Sequence, residues 1–218
     1  VLVRFGTKDA EELRDGFPQS ADQLFQYDAL VFDDVESEMF TQDQLALVRE
    51  FVSHRGGGFL MLGGQESFAS GNYHRTPLEE LLPVYINAKH KRGESSSFRM
   101  QLTREGWLAP WVRVKTSELE EHKRIEQMPA FRTVNLVRRN KPGAVVLVEV
   151  QDGNGQTLPA LVAREFGHGR VAAMLIGDFW RWGLGREDPS NEDMAKSWRQ
   201  MIRWLVADVP HHVDIKVH

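Results

Sequence analysis

Residues with chemical potential gather around one glycine-rich turn. The apolar run Phe59-Leu60-Met61-Leu62 leads into Gly63-Gly64, and Gln65, Glu66 and Ser67 follow at once. In an α/β enzyme a buried strand entering such a turn presents a nucleophile at its tip, backed by turn N–H groups that can hold an oxyanion. Neither glycine can attack anything, and the chain contains no cysteine, which removes thiol catalysis, thiolate metal sites and disulfides together. Two readings of the glycine pair stay open: a tight turn that needs close backbone approach, or a cradle of N–H groups for an anion or carbonyl, with Gln65, Glu66 and Ser67 adding side-chain contacts. Ser67 and His74 lie seven residues apart. A serine hydrolase needs its base within hydrogen-bond reach and a third group to orient it, and the Gly-x-Ser-x-Gly turn is absent, so a bland reading of this pair is preferred.

The other candidates sit where strands should end. Asp33 and Asp34 close the run Tyr27-Asp28-Ala29-Leu30-Val31-Phe32, and Asp178 follows Met174-Leu175-Ile176-Gly177. Gathered at one sheet edge, these carboxylates would suit Mg²⁺ or Ca²⁺, which take oxygen ligands. Solvated or capping aspartates are the commoner case, and no metal or cofactor is assigned. Trp180-Arg181-Trp182 offers indole and guanidinium faces for a ring, although six tryptophans mostly supply core area. His211, His212 and His218 read as solvated terminal residues. A small ligand would therefore meet Asp33, Gly63, Gly64, Gln65, Glu66, Ser67, Tyr73, Asp178, Trp180 and Arg181; no residue is called catalytic.

The elements that must position these groups are legible. Thr41 with Gln44 three residues on makes a capping box, and Leu45, Val48, Phe51 and Val52 recur at helical spacing until Gly56. Strand, helix and strand within about 35 residues make a crossover unit, so the sheet is at least partly parallel, with its crevice at the strand ends. Residues 86 to 130 read as strand or loop insertions with a short helix near Thr116 to His122. From Gly143, three β-rich runs, Ala144 to Val150, Leu158 to Phe166 and Arg170 to Ile176, make an antiparallel meander around Asp152-Gly153-Asn154-Gly155 and Gly167-His168-Gly169. A last helix from Ser190 or Asn191 carries Met194, Trp198, Met201, Ile202, Leu205 and Val206 on one face and ends before Pro210.

Composition sets the bounds. The 218 residues are 41% hydrophobic, with a net charge of −4, which suits a packed globular domain and argues against a nucleic-acid partner. No apolar run reaches the roughly 20 residues of a membrane span. Val1-Leu2-Val3-Arg4-Phe5 opens on an apolar run and His212-Val213-Asp214-Ile215-Lys216-Val217 alternates like a new strand. The expectation is a piece of a longer protein, with one domain over 1–209 and the start of a following β domain or linker over 210–218.

The elbow resembles that of the class I glutamine amidotransferase-like superfamily, where such a turn carries a catalytic cysteine; Gly63, or Gly64 one residue later, holds that place here. A late strand of that superfamily carries histidine and glutamate, and Asp178 stands where the histidine would. A closer resemblance is to the glutamine amidotransferase-like domain of bacterial membrane-anchored proteins. It rests on Tyr27-Asp28, Gly56-Gly57-Gly58, Leu62 to Phe68, Tyr73, Pro77-Leu78, Leu82-Pro83, Gly167 to Val171, Trp180-Arg181-Trp182 and Trp204-Leu205-Val206. It implies a flavodoxin-like three-layer α/β sandwich with a mostly parallel sheet, and a non-catalytic binding or assembly module of a larger cell-envelope protein. Membrane contact would then come only through segments outside this chain, with the partner an unknown small molecule or protein and a cytoplasmic place still open. The rival expectation is a hydrolase or carbohydrate-active enzyme that uses Glu66 and Asp178 in place of a cysteine triad.

Overall fold

A computed structural model describes residues 16–86, 92–184 and 191–209; the apolar opening run and the terminal histidines lie outside them. A one-turn helix α1 (Ala21–Leu24), capped by Ser20, leads to strand β1 (Ala29–Phe32). Helix α2 (Gln42–Ser53) follows, and both arms of its predicted capping box form: Thr41 Oγ1 accepts from the Gln44 N–H at 3.1 Å, and Gln44 Oε1 accepts from the Thr41 N–H at 2.9 Å. Leu45, Val48, Phe51 and Val52 are fully buried, each worth roughly 1.5–3 kcal/mol of transfer free energy. Gly56, at φ 80°, turns the chain into β2 (Gly58–Leu62), which pairs parallel with β1 from Ala29↔Gly58 to Phe32↔Met61.

Beyond β2 come α3 (Pro77–Leu81), β3 (Val84–Ile86), β4 (Arg92–Leu102), α4 (Arg104–Leu108), α5 (Glu118–Glu126), β5 (Phe131–Asn135) and β6 (Val137–Asn140). Helix α5 answers the short helix expected near Thr116 to His122, and β3 pairs with β6 in a separate two-stranded sheet. The predicted meander is β7 (Val145–Gln151), β8 (Thr157–Phe166) and β9 (Gly169–Met174). Asp152 Oδ1 accepts the Asn154 and Gln156 N–H groups in the first turn, and Gly167, at φ 60°, makes the second. Helices α6 (Arg181–Leu184) and α7 (Asp193–Val206) follow.

Among the described residues the main sheet has seven strands in the order β1-β2-β9-β8-β7-β4-β5. β9 pairs parallel with β2 and antiparallel with β8, so the crossover unit and the meander share one sheet. By these pairings β1, β2, β9, β7 and β5 point one way, and β8 and β4 the other. Helices cover both faces. A Cβ on Gly57 would meet the Phe51 ring at 2.0 Å, and one on neighbouring Gly58 would meet the Leu205 carbonyl oxygen at 2.7 Å. Adjacent residues of an extended strand project to opposite faces, which places α2 on one side and α7 on the other in a three-layer α/β sandwich.

One feature departs from the sequence expectation, and a second gives form to a region it left open. On α7 the buried positions are Asp193, Ser197, Met201 and Leu205, while Ile202 is exposed; Asn191 Oδ1 accepts the Asp193 N–H just ahead of the helix. The buried face is rotated toward Asp193, which pairs with Lys115 Nζ at 2.7 Å in the segment before α5, and Ser197, which lines the space beside α5. The region from 86 to 130 supplies β4, whose second half pairs with β7 and whose first half pairs with β5. β5 then reaches the end of β9: Val134 bridges Ile176, the Asn135 N–H donates to the Leu175 carbonyl at 2.8 Å and the Gly177 N–H to the Thr133 carbonyl at 2.9 Å. The antiparallel half thus curls round until its last strand touches the crevice edge.

Candidate functional site

The C-terminal ends of β1, β2 and β9 bring the expected residues to one edge. The Gly63-Gly64 turn lies against the segment after β9, since a Cβ on Gly63 would sit 2.6 Å from the Ile176 carbonyl oxygen and 2.8 Å from Asn135 Oδ1. A Cβ on Gly64 would sit 2.1 Å from Asp34 Oδ1. These glycines are therefore required by close approach, and the place where a nucleophilic side chain would begin is filled from both sides.

The turn's polar groups are also engaged. Buried Asn135, at the end of β5, accepts the Gly64 N–H at 3.0 Å through Oδ1 and donates through Nδ2 to the Gly64 carbonyl at 3.1 Å. Asp34 Oδ1 accepts the Glu66 N–H at 2.7 Å. Of the N–H groups that would cradle an oxyanion, those of Gly64 and Glu66 thus already serve the protein's own side chains. Past the turn the chain curls tightly, with the Gly71 N–H donating to the Ser67 carbonyl and the Tyr73 N–H to the Phe68 carbonyl. Among the described residues, the non-glycine residues at positive φ are Asp34, Phe68, Asn72 and Arg75. All flank this edge, and left-handed backbone at a bulky residue such as Phe68, at φ 52°, is a strained state found where surrounding structure enforces it.

The remaining candidates divide into an inner and an outer set. Asp178 is 7% exposed and aims at β5: its carboxylate accepts the Arg132 N–H at 3.0 Å and the Thr133 N–H at 3.4 Å and pairs with Arg181 Nε at 3.5 Å. Arg181 Nε also donates to the Ala130 carbonyl at 3.3 Å. Tyr73 is fully buried and donates its hydroxyl to the Val35 carbonyl at 2.8 Å; burial first, and the Glu36 charge second, push its pKa well above the ordinary phenol value. Ser67 is buried, and exposed His74 pairs with Glu79 at 3.2 Å. The outer set is Asp33, Gln65, Glu66 and Trp180, all exposed. Partial desolvation at the strand end, then the neighbouring Asp34 charge, raise the Asp33 carboxyl above its ordinary value. Among the described residues no group of three or more His, Asp or Glu side chains is placed to hold a metal ion.

Sequence reasoning missed Asn135, Thr133 and Arg132, which tie this edge together. A signal existed for Asn135 alone, which follows Phe131 and Val134 in a short β-rich run where a buried amide must find partners; nothing in the sequence names those partners.

Comparisons with known proteins agree with this architecture. The family model described as "Putative glutamine amidotransferase" matches residues 4–207. Among solved structures, the cytoplasmic protein STM3548 of Salmonella typhimurium superposes with a TM-score of 0.70 at 25% identity, covering 88% of this chain and 77% of its own. The cytoplasmic protein STM1381 of Salmonella typhimurium LT2 gives 0.66 at 26% identity, over 87% of this chain and 76% of its own. No curated protein matches the chain. With a flavodoxin-like α/β sheet, a glycine elbow at its crevice edge and a family match over nearly its whole length, the chain belongs to the glutamine amidotransferase-like family.

Proposed function

We propose that this chain is a non-catalytic glutamine amidotransferase-like module that serves binding or assembly within a larger bacterial cell-envelope protein. One observation carries the first half: the position from which a nucleophile would project is occupied by the Ile176 carbonyl, Asn135 and Asp34. The rival carboxylate mechanism is the weaker reading, because acid–base work needs two carboxyl groups free to meet substrate, and Asp178 is committed to β5. What the edge offers a partner is its outer set, Asp33, Gln65, Glu66 and Trp180. The envelope half follows the resemblance to domains of membrane-anchored proteins, and no helix among the described residues is long and apolar enough to cross a membrane. Such an anchor would lie outside them.

Incubation of the purified chain with glutamine tests the non-catalytic reading, with glutamate release expected to stay at the level of a protein-free blank; turnover above it overturns the proposal. Fractionation of the native host tests the envelope reading, which fails if the protein is recovered wholly in the cytosol.

A further inference from the structure

Behind α6, on the far side of the segment that bears Asp178, lies a cavity of about 30 Å³ between the sheet and α5, α6 and α7. Residues 178–182 separate the two places: Asp178 and Arg181 turn to β5, while Phe179 and Trp182 line the cavity. Its walls are apolar and aromatic apart from Ser197 and Arg124.

Arg124 is the unusual member. Its side chain is 5% exposed, and buried guanidinium groups are normally paired and fully hydrogen-bonded. Nη2 pairs with Glu121 Oε1 at 2.6 Å, Nη1 reaches only the thioether of Met128 at 3.1 Å, and the plane lies 5.0 Å from the Trp182 ring centre. Nε is buried with no acceptor. Glu121 also accepts the Val114 and Lys115 N–H groups. Burial opposes its ionisation, but the bond from Arg124 and these backbone bonds outweigh it and hold the carboxyl below its ordinary value. The charge on Arg124 is therefore already balanced, and the site offers an unanswered N–H with no net charge. Its walls can also adapt. Met100, Met174 and Met201 line the cavity and Met128 touches Arg124, four of the chain's 7 methionines; methionine is the side chain that re-packs most readily around varied ligands.

We propose that this cavity binds a small, neutral, mostly apolar molecule with one hydrogen-bond acceptor, such as a short-chain ketone or amide, the acceptor seated on Arg124 Nε. An anion is disfavoured because Glu121 already neutralises the guanidinium. The space as it stands holds about two water-sized groups, and movement of the methionines admits the rest. The site does not depend on the elbow reading.

The test is a titration of the full chain, labelled with ¹³C at the methionine methyl groups, with acetone as the probe. The signals of Met100, Met174 and Met201 should shift saturably, with a midpoint on the order of millimolar for so small a ligand. The double variant Glu121→Gln, Arg124→Met keeps one acceptor oxygen that the Val114 and Lys115 N–H groups can share, as both reach Oε2 of Glu121, and removes both charges at once, so that no buried charge is left unpaired; the midpoint should rise about tenfold or more as the donor disappears. Ser197→Leu, which fills the cavity without touching Arg124, should abolish the saturable shifts. Shifts that never saturate, shifts spread evenly over all the methionines, or an unchanged midpoint in either variant would overturn the proposal, leaving a cavity that holds water alone.

Discussion

The two places on either side of residues 178–182, the elbow and the cavity behind α6, are built to opposite rules. At the elbow, polar groups are plentiful and answer one another: Asn135 with Gly64, Asp34 with the Glu66 N–H, Asp178 with the backbone of β5. Behind α6 polar groups are scarce, and one of them, Arg124 Nε, has no acceptor. In a packed interior an answered group is structure, whereas an unanswered one is a cost that a ligand or water can relieve. The elbow is a joint between strands, tied by Asn135 to β5, and on the proposals made above it is the cavity behind it that holds a small molecule. The contrast also explains why two hydrophobic residues of one short segment, Phe179 and Trp182, share it with two polar residues that face the other way.

The largest test of the contrast is Gly63→Ala. The added methyl would meet a backbone carbonyl, that of Ile176, at 2.6 Å, where no side chain can swing aside. Overpacking of this kind should cost about 3 kcal/mol of unfolding free energy, read from urea denaturation. A loss below about 1 kcal/mol would mean that the elbow has slack, with room for the chemistry that the proposal denies it. Asp178→Ala should follow at about 2 kcal/mol, because it leaves the Arg132 and Thr133 N–H groups without their acceptor. If stability were unchanged and affinity for an elbow ligand fell instead, Asp178 would be a ligand group and the two places would be alike.

How far this was legible in the sequence depended on the range of the forces involved. Helix α2 was readable residue by residue, since its cap and its buried face are set within three or four positions of each other. The strands of the crossover and the meander were equally local, as alternation and turn residues fix them. The elbow's location was readable too, and so were the residues that reach it. What they do there was not, because Asn135 bonds Gly64 across 71 positions and Asp178 bonds Arg132 across 46, and no periodicity encodes such a pairing. β4 and β5 escaped for a related reason: each half of β4 pairs with a different strand, so its pattern follows two environments in turn. The unpaired nitrogen of Arg124 could not be read at all, since it exists only once α5 is packed against Trp182.

A smaller effect reports whether the crevice wall is closed. Tyr73 holds its proton more tightly in the folded chain than in the unfolded one, where the phenol has its ordinary value of 10. Above pH 10 the unfolded state therefore loses this proton first, and stability should fall as pH rises. Lys141 works the other way. Burial, then the charge of Arg164, lower it to about 8 from an ordinary 10.5, although it caps α3 by donating to the Glu79 and Glu80 carbonyls. Between pH 8 and 10.5 the unfolded state binds more protons, so this group makes stability rise with pH. Together they should give urea midpoints that climb from pH 8 to about 10 and then decline. Tyr73→Phe should remove the decline and leave the climb, because the ring stays packed while the titrating hydroxyl goes. A decline that persists in that variant would mean that Tyr73 titrates near its ordinary value in contact with water, and that the wall behind the elbow opens in solution.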